Sequence, residues 1–351
     1  MFNIKKALKK ESEYFTKVSK FRFQDLGFSH PFIDVQAAIK AGKQIMRSPY
    51  AEGKDAHIDG WMIKSLPQWH KLQLLVSKAV SKPQAKVIDV GCGAGNIALE
   101  MARQGANVTG IDLCQESIRI ANLSKKNSQA SIKGSLNYSV ANINKVNWPD
   151  NSLDAIVLVS TIHHLPEVDK FISRVYKSLK QTGCLLIFDH YIIDRKWISH
   201  LKGAMFLLLW LVKPGKTSPH RRFIWVFGSI MKKLGSNYWR KRISPMGIKM
   251  TDIVQQFQKK NHKLTGPALK LSPYDNASSF YDYLPQIKKL FSGVEVEFFN
   301  AFKAQSFIYK MSPNIPTWFK RITAFFICGI EDLICRAKIV KGYNVLITAK
   351  K

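Results

Sequence analysis

Asp89-Val-Gly91-Cys-Gly93-Ala-Gly95 alternates glycine with small residues directly after a short apolar run. Glycine tolerates positive φ and has no Cβ to collide with what lies across it, so this spacing builds a backbone loop that a ligand can approach closely. About twenty residues further on, Asp112 ends a second apolar run. A carboxylate there can accept hydrogen bonds from both hydroxyls of a ribose. Strand-to-helix loops at the carboxyl ends of parallel strands are where open α/β sheets bind ligands. A glycine turn with no ligand is the bland alternative, and Asp112 at the matching distance argues against it.

Two nucleotide cofactors compete for this geometry. A dinucleotide fingerprint wants G-x-G-x-x-G, but Asn96 stands where the last glycine belongs. Asp89, just before the first glycine, would repel a pyrophosphate and suits a cationic amino group. S-adenosylmethionine carries an α-amino group and no phosphate, so the residues favour it over NAD.

Residues 86–190 resemble the class I methyltransferase core of the ubiquinone- and menaquinone-pathway enzymes. Met101-Ala-Arg-Gln-Gly-Ala-Asn-Val-Thr-Gly-Ile-Asp112 is especially similar to the ubiquinone O-methyltransferases. Val140 to Asp154 matches the family's G-D-A-x-x-L-P-F-x-D-x-S-F-D pattern. The resemblance implies a cofactor set of Asp89, Gly91, Gly93, Gly95, Asp112, Leu113, Asn142, Ile143 and Ser160. Asn142 stands where the family has an aspartate that reads the adenine amino group, and its side-chain carbonyl can accept the same bond. Leu113 and Ile143 would flank the adenine. The resemblance spans about 105 of 351 residues; it speaks to fold and cofactor and says little about the methyl acceptor.

A hydroxyl acceptor gains from a base of near-neutral pKa. His163 and His164, in the loop Ser160-Thr-Ile-His-His-Leu165, are candidates because imidazole titrates in that range. A structural or cofactor-shaping role for the pair stays open, since relatives often carry two histidines here whatever the acceptor. No H-x-x-x-H or clustered Asp/Glu/His arrangement occurs, and no metal is expected.

The elements that must position these residues are legible as alternating patterns. Strands are predicted at Lys86–Val90, Asn107–Asp112, Leu136–Val140, Ala155–Ser160 and Cys184–Asp189. Helices are predicted over Ile97–Arg103, from about Gln115 to Ser124, and after Pro166 through Val168, Phe171, Ile172, Val175 and Leu179 until Gly183 ends it. After about a hundred residues without alternation, strands resume at Val294–Phe299 and Tyr343–Ala349. The expected fold is α/β: a Rossmann-like, mostly parallel sheet flanked by helices, with a helical N-terminal cap and helical insertions. The resemblance makes that sheet seven-stranded, with Tyr343–Ala349 as its antiparallel strand. The expected divisions are 1–84 (cap), 85–190 (core), 191–293 (basic, apolar insert) and 294–351 (last two strands with a helical insertion).

The formal net charge is +30, and its distribution is uneven: residues 85–190 carry a net of +2, residues 191–270 a net of +15. Such an excess attracts nucleic acid or anionic headgroups, unless it is only a lysine-biased, solvated surface. Ala204–Val212, Phe223–Met231 and Trp318–Cys328 are apolar, aromatic runs rimmed by Lys and Arg. Each is too short to span a bilayer and suits a helix lying in its interface, or a lid packed over the active site. The resulting expectation is O- or C-methylation of a lipophilic small molecule, a quinone-pathway or other lipid-like acceptor. It would occur at the cytoplasmic membrane face, with residues 197–233 against an anionic surface. The alternative is a tRNA or rRNA methyltransferase using the basic insert to hold phosphates. Five cysteines without a CxxC pair read as reduced thiols, and the N-terminal residues show no apolar leader pattern. Both fit a cytoplasmic protein, peripheral at the inner membrane face.

Overall fold

The computed structural model describes residues 4–23, 58–190, 278–301 and 317–351. The strands are β1 (Lys86–Val90), β2 (Asn107–Asp112), β3 (Ser135–Val140), β4 (Leu153–Val159), β5 (Leu179–His190), β6 (Gly293–Phe299) and β7 (Asn344–Lys350). They form one sheet in the order β3-β2-β1-β4-β5-β7-β6. β1 pairs in parallel with β2 and β4, placing Asp89 beside Gly110 on one side and Val157 on the other. β7 runs antiparallel to both β5 and β6. The antiparallel strand expected near the edge is therefore there, enclosed by one further strand.

The central strands are apolar because both their faces are covered. The first six residues of β4 and of β7 are all buried. Helices α1 (Ile4–Phe23), α2 (Ile58–Ala79), α3 (Asn96–Arg103), α4 (Gln115–Asn127), α5 (Val168–Ser178), α6 (Phe280–Leu290) and α7 (Thr317–Arg336) accompany the sheet. One core cluster joins Leu75, Val76 and Ala79 of α2 to Ala98, Leu99 and Met101 of α3 and to Val87, Val108, Leu186 and Leu346 of the sheet. The end of α2 is thus part of the sheet's core.

Two sequence expectations need correction. The helix after Pro166 ends at Ser178, not at Gly183. Leu179 continues the helical apolar spacing, but it pairs with Leu153 as the first residue of β5, and the register then slips to Ala155 opposite Cys184. Gly183 sits in that irregularity, where a Cβ would lie 2.9 Å from Lys180 O and 3.0 Å from Leu153 O. The alternation also resumes before Val294. α6 buries Phe280, Tyr283 and Ile287 on one face and packs on α5 and β6. Its start is set by a capping box between Ser279 and Asp282. The runs Ala204–Val212 and Phe223–Met231 and the basic segment 197–233 lie outside the described residues.

Candidate functional site

The glycine loop is tied to β2 by two backbone bonds, Gly91 N–H and Cys92 N–H donating to Ile111 O at 2.8 and 3.0 Å. All three glycines have positive φ, of 69°, 53° and 83°, which is the physical reason for glycine at each. Their surroundings differ. A Cβ on Gly91 would overlap the Thr161 side chain, and one on Gly95 would overlap Tyr138, whose hydroxyl donates to Gly95 O at 2.9 Å. A Cβ on Gly93 would meet nothing within 4 Å. Gly93 is the glycine whose missing side chain leaves room for a ligand.

Beneath the loop lie two acids, Asp89 buried and Asp112 half-buried. Asp89 is 1% exposed and accepts the Ala98 N–H at 3.1 Å. Burial pushes its carboxyl up to about 7, the Ala98 bond opposing and nearby Asp112 adding to the rise. Asp112 accepts the Gly93 N–H through Oδ2 and the Cys114 N–H through Oδ1, both at 2.8 Å. Burial raises its pKa as well, against these backbone donors and the charge of His164. A carboxylate has about four lone-pair sites, so two backbone bonds leave capacity for ribose hydroxyls.

Both acids open on a cavity of about 360 Å³, within the usual range for small-ligand sites. Of the residues singled out in the sequence, Asp89, Gly91, Gly93, Asp112, Leu113, Asn142, Ile143, Ser160 and His164 line it; Gly95 and His163 do not. Gly95 instead forms the left-handed N-cap of α3. Asn142 Oδ1 already accepts the Asn144 N–H at 3.0 Å, so any further bond uses its second lone pair or its amide. Ser160 has a φ of 52° and donates its N–H to Phe188 O at 2.7 Å. A non-glycine residue held there costs about 1–2 kcal/mol, strain of the kind that collects at functional sites.

The two histidines share a short 3-10 turn, Ile162–His164, with ring centroids 4.1 Å apart. They are held by different carboxylates. His163 is buried, with Nδ1 2.6 Å from Asp189 Oδ1, and Asp189 is fully buried at the end of β5. His164 faces the cavity, with Nδ1 3.0 Å from Glu11 Oε1.

Glu11 belongs to α1, whose part in the site the sequence reading missed. Leu8, Glu11, Phe15 and Ser19 recur on one helical face and line the cavity. The helix is pinned by Ser19 Oγ to Ser117 Oγ at 2.8 Å and by Thr16 Oγ1 to Cys114 Sγ at 3.4 Å. The available signal was the spacing 8, 11, 15, 19, masked by the run of lysines around it. Arg174 of α5 was missed too; its guanidinium donates to Ile143 O at 3.1 Å and to Asn144 O, fixing the loop that carries Asn142. Among the described residues no group of three His, Cys, Asp or Glu is placed to hold a metal ion.

A glycine cradle with space left at Gly93, a carboxylate at the end of β2 and a buried acid needing a cation fit S-adenosylmethionine. The comparisons agree. A methyltransferase-domain family model matches residues 88–187. The ubiquinone biosynthesis O-methyltransferase of Bartonella bacilliformis is 31% identical over 139 residues, covering 40% of this chain and 54% of that protein. That of Rickettsia conorii is 31% identical over 160 residues, covering 44% and 52%. The chain thus spans about half the length of these curated relatives. The solved YcgJ protein of Bacillus subtilis aligns over 81% of this chain and 98% of its own, at 16% identity and a TM-score of 0.41. That overlay is too loose to carry an argument. The chain contains a class I S-adenosylmethionine-dependent methyltransferase domain, similar to those of the ubiquinone pathway.

Proposed function

We propose that this protein methylates a lipophilic small molecule, by O- or C-methylation, at the cytoplasmic face of a membrane, with a quinone-pathway ring or another lipid-like compound as acceptor. The observation that carries the reading is the donor cradle joined to a wall of Leu8, Phe15, Ile143, Val159 and Leu165, with His164 as its imidazole. The acceptor class is supported by the relatives' being ubiquinone biosynthesis O-methyltransferases.

Bound S-adenosylmethionine supplies an electrophilic methyl group on a sulfonium sulfur. The chain's own residues do the rest. Asp112 would accept hydrogen bonds from the ribose hydroxyls, and the donor's amino group would offset the Asp89 carboxylate. Leu113 and Ile143 would flank the adenine. For a hydroxyl acceptor, His164 takes the proton, with the Glu11 carboxylate beside its ring. Leu8 and Phe15 keep water from the site, where positioning and desolvation supply much of the rate.

Lipid and metabolite profiling of a deletion strain tests the reading. The expected result is accumulation of a lipophilic compound lighter by one methyl group, restored by the purified enzyme with S-adenosylmethionine. Undermethylated tRNA or rRNA with an unchanged lipid profile would instead establish the RNA reading, which rests on the +15 charge of residues 191–270.

A further inference from the structure

α7 (Thr317–Arg336) sits on the fold with its polarity reversed. A surface helix ordinarily buries its apolar stripe and exposes its charges. Here the inner face is acidic. Glu331 is 2% exposed, and Asp332 holds Lys71 Nζ of α2 at 3.0 Å. The same buried lysine also binds Glu297 of β6 at 3.0 Å. Ala324 and Cys335 complete the buried face.

The outer face is apolar. Trp318, Ile322, Phe325, Phe326, Ile330 and Leu333 recur every three or four residues along one side. Their exposure runs from 49% at Ile322 to 69% at Phe325. Single exposed apolar side chains are ordinary, but a continuous aromatic stripe marks a contact surface. Among the described residues no helix is long and apolar enough to cross a membrane. The surrounding charge points to the partner. Between residues 317 and 341 the only acids are buried Glu331 and half-buried Asp332, which pairs with Lys71 and, at 2.7 Å, with Arg336; Arg336, Lys338 and Lys341 are exposed at the helix end.

We propose that α7 is a membrane-docking helix that lies in the interface of an anionic bilayer, its Trp318–Leu333 stripe at the acyl boundary and Arg336, Lys338 and Lys341 among the headgroups. Amphipathic helices bind in this way through buried apolar area and attraction to anionic lipids together. A second copy fits the face poorly, because two chains of net charge +30 repel. The inference rests on the membrane-face part of the proposed function and names the element that serves it.

Co-sedimentation of the full chain tests it, using vesicles of phosphatidylcholine with and without phosphatidylglycerol. The wild-type chain should bind the anionic vesicles, and a Phe325→Ser/Phe326→Ser variant should bind at least about tenfold more weakly with an unchanged Tm. Equal binding by the variant removes the helix assignment and leaves the membrane-face reading standing. No binding by the wild-type chain removes both. A solution dimer that the substitutions dissolve, or a marked fall in Tm, assigns the stripe to a protein contact and overturns the proposal. If the double variant fails to fold, brominated acyl chains should quench wild-type emission more than that of Trp318→Phe; equal quenching refutes the docking.

Discussion

Among the described residues no cationic side chain pairs with buried Asp89, and that makes the cofactor-free fold sensitive to pH. Its carboxyl is raised to about 7 from 3.8, chiefly by burial. Between those values the folded state binds more protons than the unfolded state, so stability falls as pH rises from about 4 to 7 and stays lowered above it. Asp89→Asn removes the penalty while keeping an acceptor for the Ala98 N–H. In cofactor-free protein the variant should be more stable at pH 8, by on the order of a few kcal/mol, and about equal at pH 4. Denaturant titrations at the two pH values check this; parallel offsets at both would refute it. At the loop, Gly93→Ala should cost only about 1 kcal/mol of stability through its positive φ and yet weaken S-adenosylmethionine binding tenfold or more. Gly91→Ala, which must displace Thr161, should lose both fold stability and binding. Isothermal titration beside thermal unfolding separates the two glycines. His164→Ala should lower kcat about 10²–10⁴-fold toward a hydroxyl acceptor, with binding of the donor nearly intact. His163→Ala should chiefly destabilise, because it removes the imidazole partner of buried Asp189 and leaves that carboxylate only the backbone N–H groups of residues 163 and 190. If turnover survives both changes with an unaltered pH profile, neither histidine is the base.

At the scale of elements, Asp154 joins three segments at the sheet edge away from the cavity. It accepts the Lys86 N–H at 2.9 Å and pairs with Lys82 at 2.7 Å and Lys180 at 2.9 Å. Burial works against its charge, but these donors prevail and hold its carboxyl at about 2. Its contribution is therefore present above about pH 4 and lost as pH falls through 2. Asp154→Asn should destabilise by about 1–3 kcal/mol at neutral pH, without changing KM for the donor, and the deficit should vanish near pH 2. The same residue shows what a sequence yields. Asp154 aligned with a family motif, but its work as a clamp depends on Lys180, brought close by the irregular start of β5. The βαβ alternation, Asp112 and the glycine loop were readable because they are local: period, turn and spacing lie within a few residues. Glu11 was not, because its partner His164 is 153 positions away along the chain and lysines obscure the amphipathic face that carries it. Gly183 misled for a related reason. Helical spacing through Leu179 and a following glycine satisfied local rules, and pairing with β4 overrode them.

The whole molecule carries a net charge of +30, and that excess should act on the folded state as well as on partners. Like charges crowd when the chain is compact and separate when it unfolds, so self-repulsion lowers stability. Added salt screens it; the Debye length shrinks from about 10 Å at 0.1 M to about 3 Å at 1 M. The ion pairs that favour the fold respond less, because Asp154 and Lys71 are buried and poorly screened. Thermal stability should therefore rise by several degrees between about 0.05 and 0.5 M sodium chloride. Binding to anionic vesicles should weaken over the same range but survive in part, because the apolar stripe of α7 is indifferent to screening. Binding through phosphates alone would instead fall by about three to five powers of ten between about 0.05 and 0.2 M. Parallel unfolding and vesicle-binding titrations against salt distinguish these cases. A Tm that falls with salt would mean that attractive surface pairs outweigh the excess charge. Vesicle binding abolished outright would leave the aromatic face of α7 with no part in docking.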